Sequence, residues 1–276
     1  MLVFTHMIKC GGINLSYIFR NNYPKGFVRV EPLSGSKDSL GRPLFCESDF
    51  IKYKRLNQNI FGISGHSVRS YSGLEKVCND IKYILFIRNP YRRYLSHANK
   101  NRTGEFRTYN HVKKYGYKNI LDRLDNHDED NYQVRFIADE ENLEKAKDII
   151  RSKYCFIGIL ERFDESLVLM KKSLGLGKNF EIRYEKVNVA KNYMNSLKLD
   201  DELSARIHEQ NSLDFKLYDF VEKEIFPKQI EEYGANFYNN LKNFQKMNKD
   251  YKFDPLKINI SRMYRFFYYR PFTKIL

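Results

Sequence analysis

The sequence LVFTHMIKCGGINLSYIFR, residues 2–20, predicts a strand, a glycine-containing loop and a helix in direct succession. Leu2-Val3-Phe4 is a short apolar run of the kind that forms a buried strand. The polar stretch His6–Gly12 is predicted to be a loop, and Ile13–Arg20 a helix that ends before Pro24. A strand that passes through a tight loop into a helix is the building unit of parallel α/β sheets.

Three more strands are predicted downstream from apolar, β-branched and aromatic runs: Ile60–Ile63, Ile81–Ile87 and Tyr154–Ile159. Helices are expected from Pro90, because proline is favoured in a first turn, and after Asp164, which could cap a helix that stops at Gly175. Other expectations are a surface loop over residues 31–49, a tight turn at Ser64-Gly65-His66, and helical structure up to about residue 246. The sequence thus predicts an α/β fold: a P-loop-like parallel β-sheet flanked by helices, with a mostly helical C-terminal part.

The chain of 276 residues is long enough for one large domain, which we place at residues 1–246, followed by a basic aromatic tail at residues 247–276. Its 48 Lys and Arg against 34 Asp and Glu give a formal charge of +14, which favours an anionic partner without choosing which one. The four cysteines show no CxxC pairing and no metal-ligand spacing, so we expect reduced thiols. With no signal peptide and no membrane-spanning run apparent, the predicted location is cytoplasmic.

A first anion site is predicted in the loop Lys9-Cys10-Gly11-Gly12. Adjacent glycines let backbone N–H groups approach an anion, the following helix N-terminus favours negative charge, and Lys9 adds a positive charge. The alternative is a plain strand-to-helix turn whose glycines allow tight packing. The nucleotide-kinase pattern G-x-x-x-x-G-K-[ST] is absent, because here the lysine precedes the glycines and no Ser or Thr follows it to hold magnesium.

A second anion site is predicted in the segment RNPYRRYLS, residues 88–96. Arg88 follows the most apolar strand, at the edge where open α/β sheets bind ligands, and Ser96 lies two turns into the next helix. The alternative is a surface arginine on an amphipathic helix. Two anion sites at one sheet edge suit a ligand with two separated anionic groups, such as 3′-phosphoadenosine 5′-phosphosulfate (PAPS).

These two segments resemble the motifs of the carbohydrate sulfotransferases related to heparan sulfate 2-O-sulfotransferase. FTHMIKCGGINL, residues 4–15, resembles the family pattern F-x-H-x-P-K-T-G-G-T-[ST]-L, and ILFIRNP through Ser96 resembles the family's 3′-phosphate motif. Three later stretches are similar in order and spacing, so the resemblance runs over roughly residues 2–225: residues 131–136, 157–167 and 211–220.

The resemblance implies PAPS as co-substrate, adenosine 3′,5′-bisphosphate as product, a carbohydrate acceptor and no metal. It implies that the 5′-phosphosulfate is held by the loop Lys9, Cys10, Gly11, Gly12, Ile13 and Asn14, and the 3′-phosphate by Arg88 and Ser96. Where the family has Pro, Thr and Thr, this chain has Ile8, Cys10 and Ile13, so two hydroxyl donors are missing, although Asn14 could replace one.

Gly65-His66 matches the family's Gly-His after the second strand, which carries the catalytic base. A histidine suits that role because it exchanges protons near neutral pH. The resemblance therefore assigns His66 as the base and Lys9 as the catalytic cation, while His6 is expected to be structural. The alternative for any single histidine is a purely structural role.

The acceptor is expected to be an anionic glycan or a glycolipid that lies against residues 100–130. Residues 257–276 contain five basic residues, six aromatic residues and no acidic residue. This tail could lie on the inner face of an anionic membrane, or it could be a terminal helix docked on the core. Three other functions stay open at this point: a nucleic-acid-binding protein, which the dispersed charge and lack of a recognition motif disfavour, a P-loop kinase, and a catalytically silent sulfotransferase homologue.

Overall fold

The computed structural model describes residues 1–98, 120–127, 129–185 and 201–275. Its centre is a five-stranded sheet in the order β2-β3-β1-β4-β5, with every neighbouring pair parallel. The sheet confirms the predicted α/β fold. Its strands are β1 (Leu2–Thr5), β2 (Phe27–Arg29), β3 (Gly62–Gly65), β4 (Lys82–Ile87) and β5 (Tyr154–Ile159).

Helices surround the sheet and continue beyond it in the C-terminal part. Those before β5 are α1 (Gly12–Asn22), α2 (Glu47–Leu56), α3 (Pro90–Ala98), α4 (Tyr132–Ala138) and α5 (Leu143–Lys153). Those after β5 are α6 (Phe163–Ser173), α7 (Asp201–Gln210), α8 (Ser212–Phe220), α9 (Phe226–Tyr233), α10 (Phe237–Asn248), α11 (Pro255–Met263) and α12 (Arg270–Ile275). Short π-helical segments, Val221–Ile225 and Tyr264–Tyr269, join α8 to α9 and α11 to α12.

The register brings the carboxyl ends of the central strands level with one another. Thr5 at the end of β1 pairs with Gly65 of β3 on one side and with Leu85 of β4 on the other. Parallel strands lie about 4.8 Å apart. The loops that follow β1, β3 and β4 therefore emerge side by side at one edge of the sheet.

Both faces of the sheet are covered, as near-continuous apolar strands require. Val3, Ile63 and Ile84 are completely buried. On one face α1 packs through Phe19, whose ring stacks on Phe27 at 4.7 Å.

The chain after residue 254 forms an outer helical layer over α1 and α2. Tyr269 is buried and stacks on Tyr53 of α2 at 5.9 Å. Its hydroxyl donates to the Lys25 carbonyl at 3.2 Å, and Ile258 on α11 is also buried. The tail predicted from composition is thus a docked helix with one buried face.

Some local predictions differ from the structure. The strand predicted at Ile60–Ile63 runs instead over Gly62–Gly65, so Ser64 and Gly65 belong to β3 and not to a turn. Pairing explains the shift, because the Val30 N–H donates to the Ser64 carbonyl at 2.9 Å. The surface loop expected over residues 31–49 ends earlier, since α2 begins at Glu47.

Asp164 does not cap α6, which begins one residue before it. Its carboxylate instead accepts hydrogen bonds from the Tyr184 hydroxyl at 2.9 Å and the Gln245 amide at 3.2 Å. Residues 176–185 are also not helical, because the Asn22 side chain pairs with both backbone groups of Glu181 at 2.7 and 2.8 Å. Backbone groups held in this way cannot join an α-helix.

Within the described part of the chain, the structure contains no helix that is both long enough and apolar enough to cross a bilayer.

Candidate active site

The loop between β1 and α1 has a backbone that demands glycine. Gly11 precedes α1 with φ 76°, in the left-handed region that side-chain-bearing residues rarely adopt. At Gly12 an added Cβ would lie 1.8 Å from Nε2 of His6, so the buried imidazole leaves no room for a side chain. Lys9 also has a positive φ of 67°, which is uncommon for a non-glycine residue and typical of ligand-binding loops.

This conformation places backbone N–H groups at the start of α1, where the helix favours an anion. The Cys10 thiol is buried, and its Sγ lies 3.8 Å from Oε1 of Gln133. Burial raises the pKa of the Cys10 thiol to about 12, so the sulfur stays protonated. Ile13, by contrast, is 46% exposed and presents an apolar surface beside the loop.

Arg88 joins the two predicted anion sites physically. It lies just beyond β4, and its guanidinium donates to the Lys9 carbonyl at 3.1 Å. Its Nε lies 3.7 Å from Glu161 but has no hydrogen-bond partner although the atom is buried. The structure therefore brings Arg88 and the Lys9 loop together, with a buried donor of Arg88 still to be satisfied.

Gln133 holds the Arg88 backbone in place. Its side-chain amide accepts from the Arg88 N–H at 3.0 Å and donates to the Arg88 carbonyl at 2.9 Å. Gln133 is 1% exposed and lies on α4. Residues 131–136 resemble a family stretch, but the positioning role of Gln133 was not predicted, because no spacing rule links a helical glutamine to a strand end.

The helix that follows Arg88 is anchored from inside. Asn89 caps α3 by accepting from the Arg92 N–H at 3.2 Å. Arg93 is fully buried, donates to Glu129 at 2.9 Å and lies over the Tyr132 ring at 4.4 Å. Ser96 is half-buried and makes no hydrogen bond with Arg88, so the structure does not bring these two predicted 3′-phosphate residues into direct contact.

His66 follows β3, next to the β1–α1 loop. Its Nδ1 lies 2.9 Å from the His6 carbonyl oxygen, and the two imidazole rings are 4.2 Å apart. A carbonyl oxygen only accepts, so Nδ1 carries the hydrogen and the neutral ring has its lone pair on Nε2. The Arg69 guanidinium donates to the His66 carbonyl and so holds the backbone from the other side.

His6 has the structural environment expected from the sequence. Its ring is buried and stacks on Phe4 at 5.2 Å. Burial, His66, Arg29 and Arg20 together lower the pKa of His6 well below its usual value, so the ring is neutral. It fills the space over Gly12 and offers its carbonyl to His66.

The order of strands sets the order of these groups along the carboxyl edge. From the edge strand inward it places Arg29 of β2, His66 after β3, the Lys9 loop after β1 and Arg88 after β4. A basic loop thus lies between a histidine with an accepting nitrogen and a half-buried arginine. Such an arrangement can bind two anionic groups and accept a proton beside one of them.

No group of three or more His, Cys, Asp or Glu side chains that could hold a metal ion occurs among the described residues. Residues 100–130, predicted to lie against the acceptor, fall mostly outside them, since positions 99–119 and 128 are not described.

Comparison with known proteins agrees with this geometry. No curated protein matches the chain significantly. A model of the sulfotransferase family matches residues 1–221, which include every residue of the site from the Lys9 loop to Glu161. With most of its length matched, the chain belongs to the sulfotransferase family.

Proposed function

We propose that this protein transfers the sulfuryl group of PAPS to a hydroxyl of a carbohydrate acceptor, with His66 as the general base. Membership of the sulfotransferase family supports a sulfotransfer reaction, for which PAPS is the general donor. The carbohydrate acceptor rests on the resemblance of the residue 4–15 and 84–96 motifs to carbohydrate sulfotransferases. The observation that carries the proposal is the contact of Arg88 with the Lys9 loop, one strand away from His66.

The donors at this edge fit a nucleotide with two anionic groups. The Arg88 Nε is buried and has no hydrogen-bond partner, only Glu161 at 3.7 Å, which suits a charge-assisted bond to a phosphate oxygen. The Lys9 loop supplies a cation and the amides at the start of α1 for a phosphosulfate. When bound, PAPS would supply an activated sulfuryl group whose acceptance by a hydroxyl releases adenosine 3′,5′-bisphosphate.

The chain's own groups then have separate tasks. Nε2 of His66 accepts the proton that the acceptor hydroxyl loses as a bond forms from its oxygen to sulfur. Lys9 and the α1 amides stabilise negative charge on the phosphate oxygen whose bond to sulfur breaks. One preorganised donor of this kind contributes about 3–4 kcal/mol to lowering a barrier.

The direct test supplies radiolabelled PAPS with a panel of capsular sugars, glycolipids and glycosaminoglycans. Label should appear in a carbohydrate while adenosine 3′,5′-bisphosphate accumulates in equal amount. Tight binding of PAPS with no transfer to any acceptor would identify a silent homologue. Magnesium-dependent ATP consumption in place of either result would contradict the proposal in favour of a kinase.

A further inference from the structure

Arg69 is a buried cation three residues after the proposed base. It is 4% exposed, and burial lowers the pKa of its guanidinium, which nevertheless stays protonated. The nearby carboxylate of Asp38 is already paired with Arg42 at 2.7 Å, and Arg69 forms no ion pair within the described part of the chain. A buried charge without a counter-ion lowers stability, whereas an apolar side chain would fill the same space without that penalty. The position of Arg69 therefore points to a role beyond packing.

The turn after β3 depends on Arg69 for its shape. His66 and Ser67 lie outside any helix or strand, so their backbone groups need partners from elsewhere. The Arg69 guanidinium donates to the carbonyl of His66 and, at 3.2 Å, to that of Val68. The Arg69 N–H in turn donates to the Ser72 hydroxyl at 3.0 Å. Arg69 therefore fixes the direction in which the chain leaves His66.

The same guanidinium joins the turn to α4. Its Cζ lies 3.7 Å from the centre of the Phe136 ring, and Phe136 is 1% exposed. A desolvated arginine stacked on a ring in this way makes one of the stronger cation–π contacts. The same helix carries Gln133, which holds the Arg88 backbone and lies beside the Cys10 thiol. One helix thus contacts the chain after β1, β3 and β4, and it reaches the chain after β3 through Arg69.

This connection sets the position of the base relative to the nucleotide loop. The bond from Nδ1 of His66 to the His6 carbonyl fixes the imidazole only while the His66 backbone keeps its orientation. Arg69 holds that backbone against α4, and α4 holds Arg88 through Gln133. Nε2 of His66 is thereby held relative to a nucleotide bound between these loops. Its placement matters, because an error of about 1 Å can lower a rate by about 10²-fold.

We propose that Arg69 is a positioning residue for the base: it aligns His66 with the nucleotide loop by tying the turn after β3 to α4. This inference rests on the proposed function and adds a residue outside the motifs that resemble the family, since that resemblance covers only Gly65-His66 in this turn. Arg69 contacts neither nucleotide nor acceptor and acts through His66. Its loss therefore lowers turnover and leaves nucleotide affinity unchanged.

The first measurement observes His66 directly and needs no acceptor. In ¹H–¹⁵N spectra of the imidazole nitrogens above neutral pH, with His66→Asn assigning the signals, the parent should show His66 as one tautomer with its hydrogen on Nδ1. Arg69→Met should give the averaged signals of two tautomers, because the ring no longer stays bonded to the His6 carbonyl. Parent-like His66 signals in Arg69→Met would contradict the inference.

The second measurement is turnover of labelled PAPS with the acceptor that the carbohydrate panel identifies. Arg69→Met should lower the turnover number about ten- to a hundredfold and change the KM for PAPS by less than about twofold. Arg69→Lys keeps the charge but loses the planar contact with Phe136, so it should recover part of the loss. In the His66→Asn background, Arg69→Met should have no further effect, since it acts through a group already removed. Equal losses in both backgrounds would assign Arg69 a role separate from His66 and overturn the inference.

Arg162→Met is the matched control. The Arg162 guanidinium also lies over a buried ring, that of Phe226 at 4.2 Å, and pairs with Glu165. It follows β5, three strands away from β3 in the sheet. Its substitution should leave the His66 signals unchanged and turnover within about twofold of the parent. Should Arg69→Met fail to fold, Arg69→Lys undergoes the same comparisons, with a loss of about three- to tenfold expected.

Failure of the proposed function gives a different result. A parent that transfers sulfate to no acceptor contradicts the proposed function, while its His66 signals still test Arg69. An active parent whose turnover and His66 signals are unchanged in Arg69→Met contradicts the inference alone. Every variant should bind adenosine 3′,5′-bisphosphate like the parent in calorimetry. Loss of that binding in Arg69→Met would place its effect at the nucleotide loop instead of at the base and overturn the inference.

Discussion

At the scale of single residues, the two nitrogens of His66 have different tasks. Nδ1 donates to the His6 carbonyl at 2.9 Å and fixes the ring, which leaves Nε2 as the accepting nitrogen. A side-chain amide can imitate one nitrogen at a time. Asparagine places its NH₂ near the Nδ1 position, whereas glutamine reaches the Nε2 position without being a base.

We therefore expect His66→Asn to keep the fold and lose the chemistry. The turnover number should fall about 10²–10⁴-fold, the usual contribution of a general base, while the affinity for adenosine 3′,5′-bisphosphate stays unchanged. Steady-state kinetics with calorimetry measures both. His127→Ala is the control, since its side chain is 66% exposed and pairs with Asp130. An active His66→Asn variant would remove His66 from the mechanism.

Arg88 gives a second prediction at this scale. Adenosine 3′,5′-bisphosphate should bind far more tightly than AMP, because a charge-assisted bond contributes about 1.5–3 kcal/mol. Arg88→Gln should weaken the bisphosphate about tenfold or more and AMP much less. If the substitution merely disturbed the Lys9 loop through the lost bond to its carbonyl, both nucleotides would weaken equally. The exposed Arg92 supplies the control variant Arg92→Gln.

Sequence motifs located the residues of this edge that have a distinctive pattern. Lys9, Gly11 and Gly12 belong to a short loop whose glycine pair predicts a tight backbone conformation, and Arg88 follows a strand with a strongly apolar pattern. Gln133 could not be found in this way, because its contact with Arg88 depends on how α4 docks. The sequence also could not predict that the Cys10 thiol faces the interior, because its contact with Gln133 depends on the docking of α4 as well.

At the scale of elements, strand length decided what the sequence could predict. β4 and β5 have six residues each and were predicted almost to the residue. β2, with only Phe27–Arg29, gives too short a pattern to distinguish from a loop, and it forms a strand because β3 offers it a partner. That missed strand carries Arg29, so the place of Arg29 at the carboxyl edge of the sheet was missed with it.

Two helices cap each other near the site. Asp214 on α8 accepts from the Gln133 and Val134 N–H groups at the start of α4, at 2.9 and 2.8 Å. Asn131, just before α4, accepts from the Leu213 and Asp214 N–H groups at the start of α8. This exchange fixes α4 against α8, and Gln133 on α4 in turn holds the Arg88 backbone. The two family-like stretches, residues 131–136 and 211–220, therefore help to position the same site residue.

Glu129 yields a stability prediction at this scale. Its buried carboxylate accepts from Arg93 at 2.9 Å, Arg123 at 3.1 Å and His97 at 2.8 Å. Burial favours the neutral acid, but His97 and Arg93 prevail and lower the pKa of Glu129 to about 2. Glu129→Gln should lower the free energy of unfolding at pH 7 by about 3–5 kcal/mol, because Arg93 would stay buried without a counter-ion. Urea denaturation measures this.

The pH dependence of that difference follows from the lowered pKa. In the folded state the group binds its proton only near pH 2, whereas the unfolded chain binds it near pH 4.5. The contribution is therefore complete above pH 4.5 and is lost on acidification, by about 2 kcal/mol between pH 5 and pH 3. Glu144→Gln, at a side chain 72% exposed, should show neither effect. A constant gap between parent and Glu129→Gln from pH 7 to pH 3 would contradict the assignment.

At the scale of the whole molecule, the C-terminal layer has two faces. One is buried through Ile258, Ser261, Tyr269 and Thr273. The other presents Phe267 at 76% and Ile275 at 78% exposure, and residues 257–276 contain no acidic residue. Docking on the core and contact with a membrane are thus compatible, and the exposed aromatic and basic groups fit an anionic bilayer surface.

We expect the protein to float with vesicles that contain phosphatidylserine and not with vesicles of phosphatidylcholine alone. Removal of the whole tail would uncover the core at Tyr269, so the informative variant is Phe267→Ser with Ile275→Ser, which alters only exposed apolar groups. It should weaken vesicle binding at least about tenfold, since full burial of each such side chain contributes about 1.5–3 kcal/mol and burial of only part of the two already gives that factor. The control is Tyr238→Ser with Met247→Ser, at side chains 65% and 58% exposed on α10. Equal loss in both double variants, or no flotation of the parent, would leave the C-terminal layer with a structural role only.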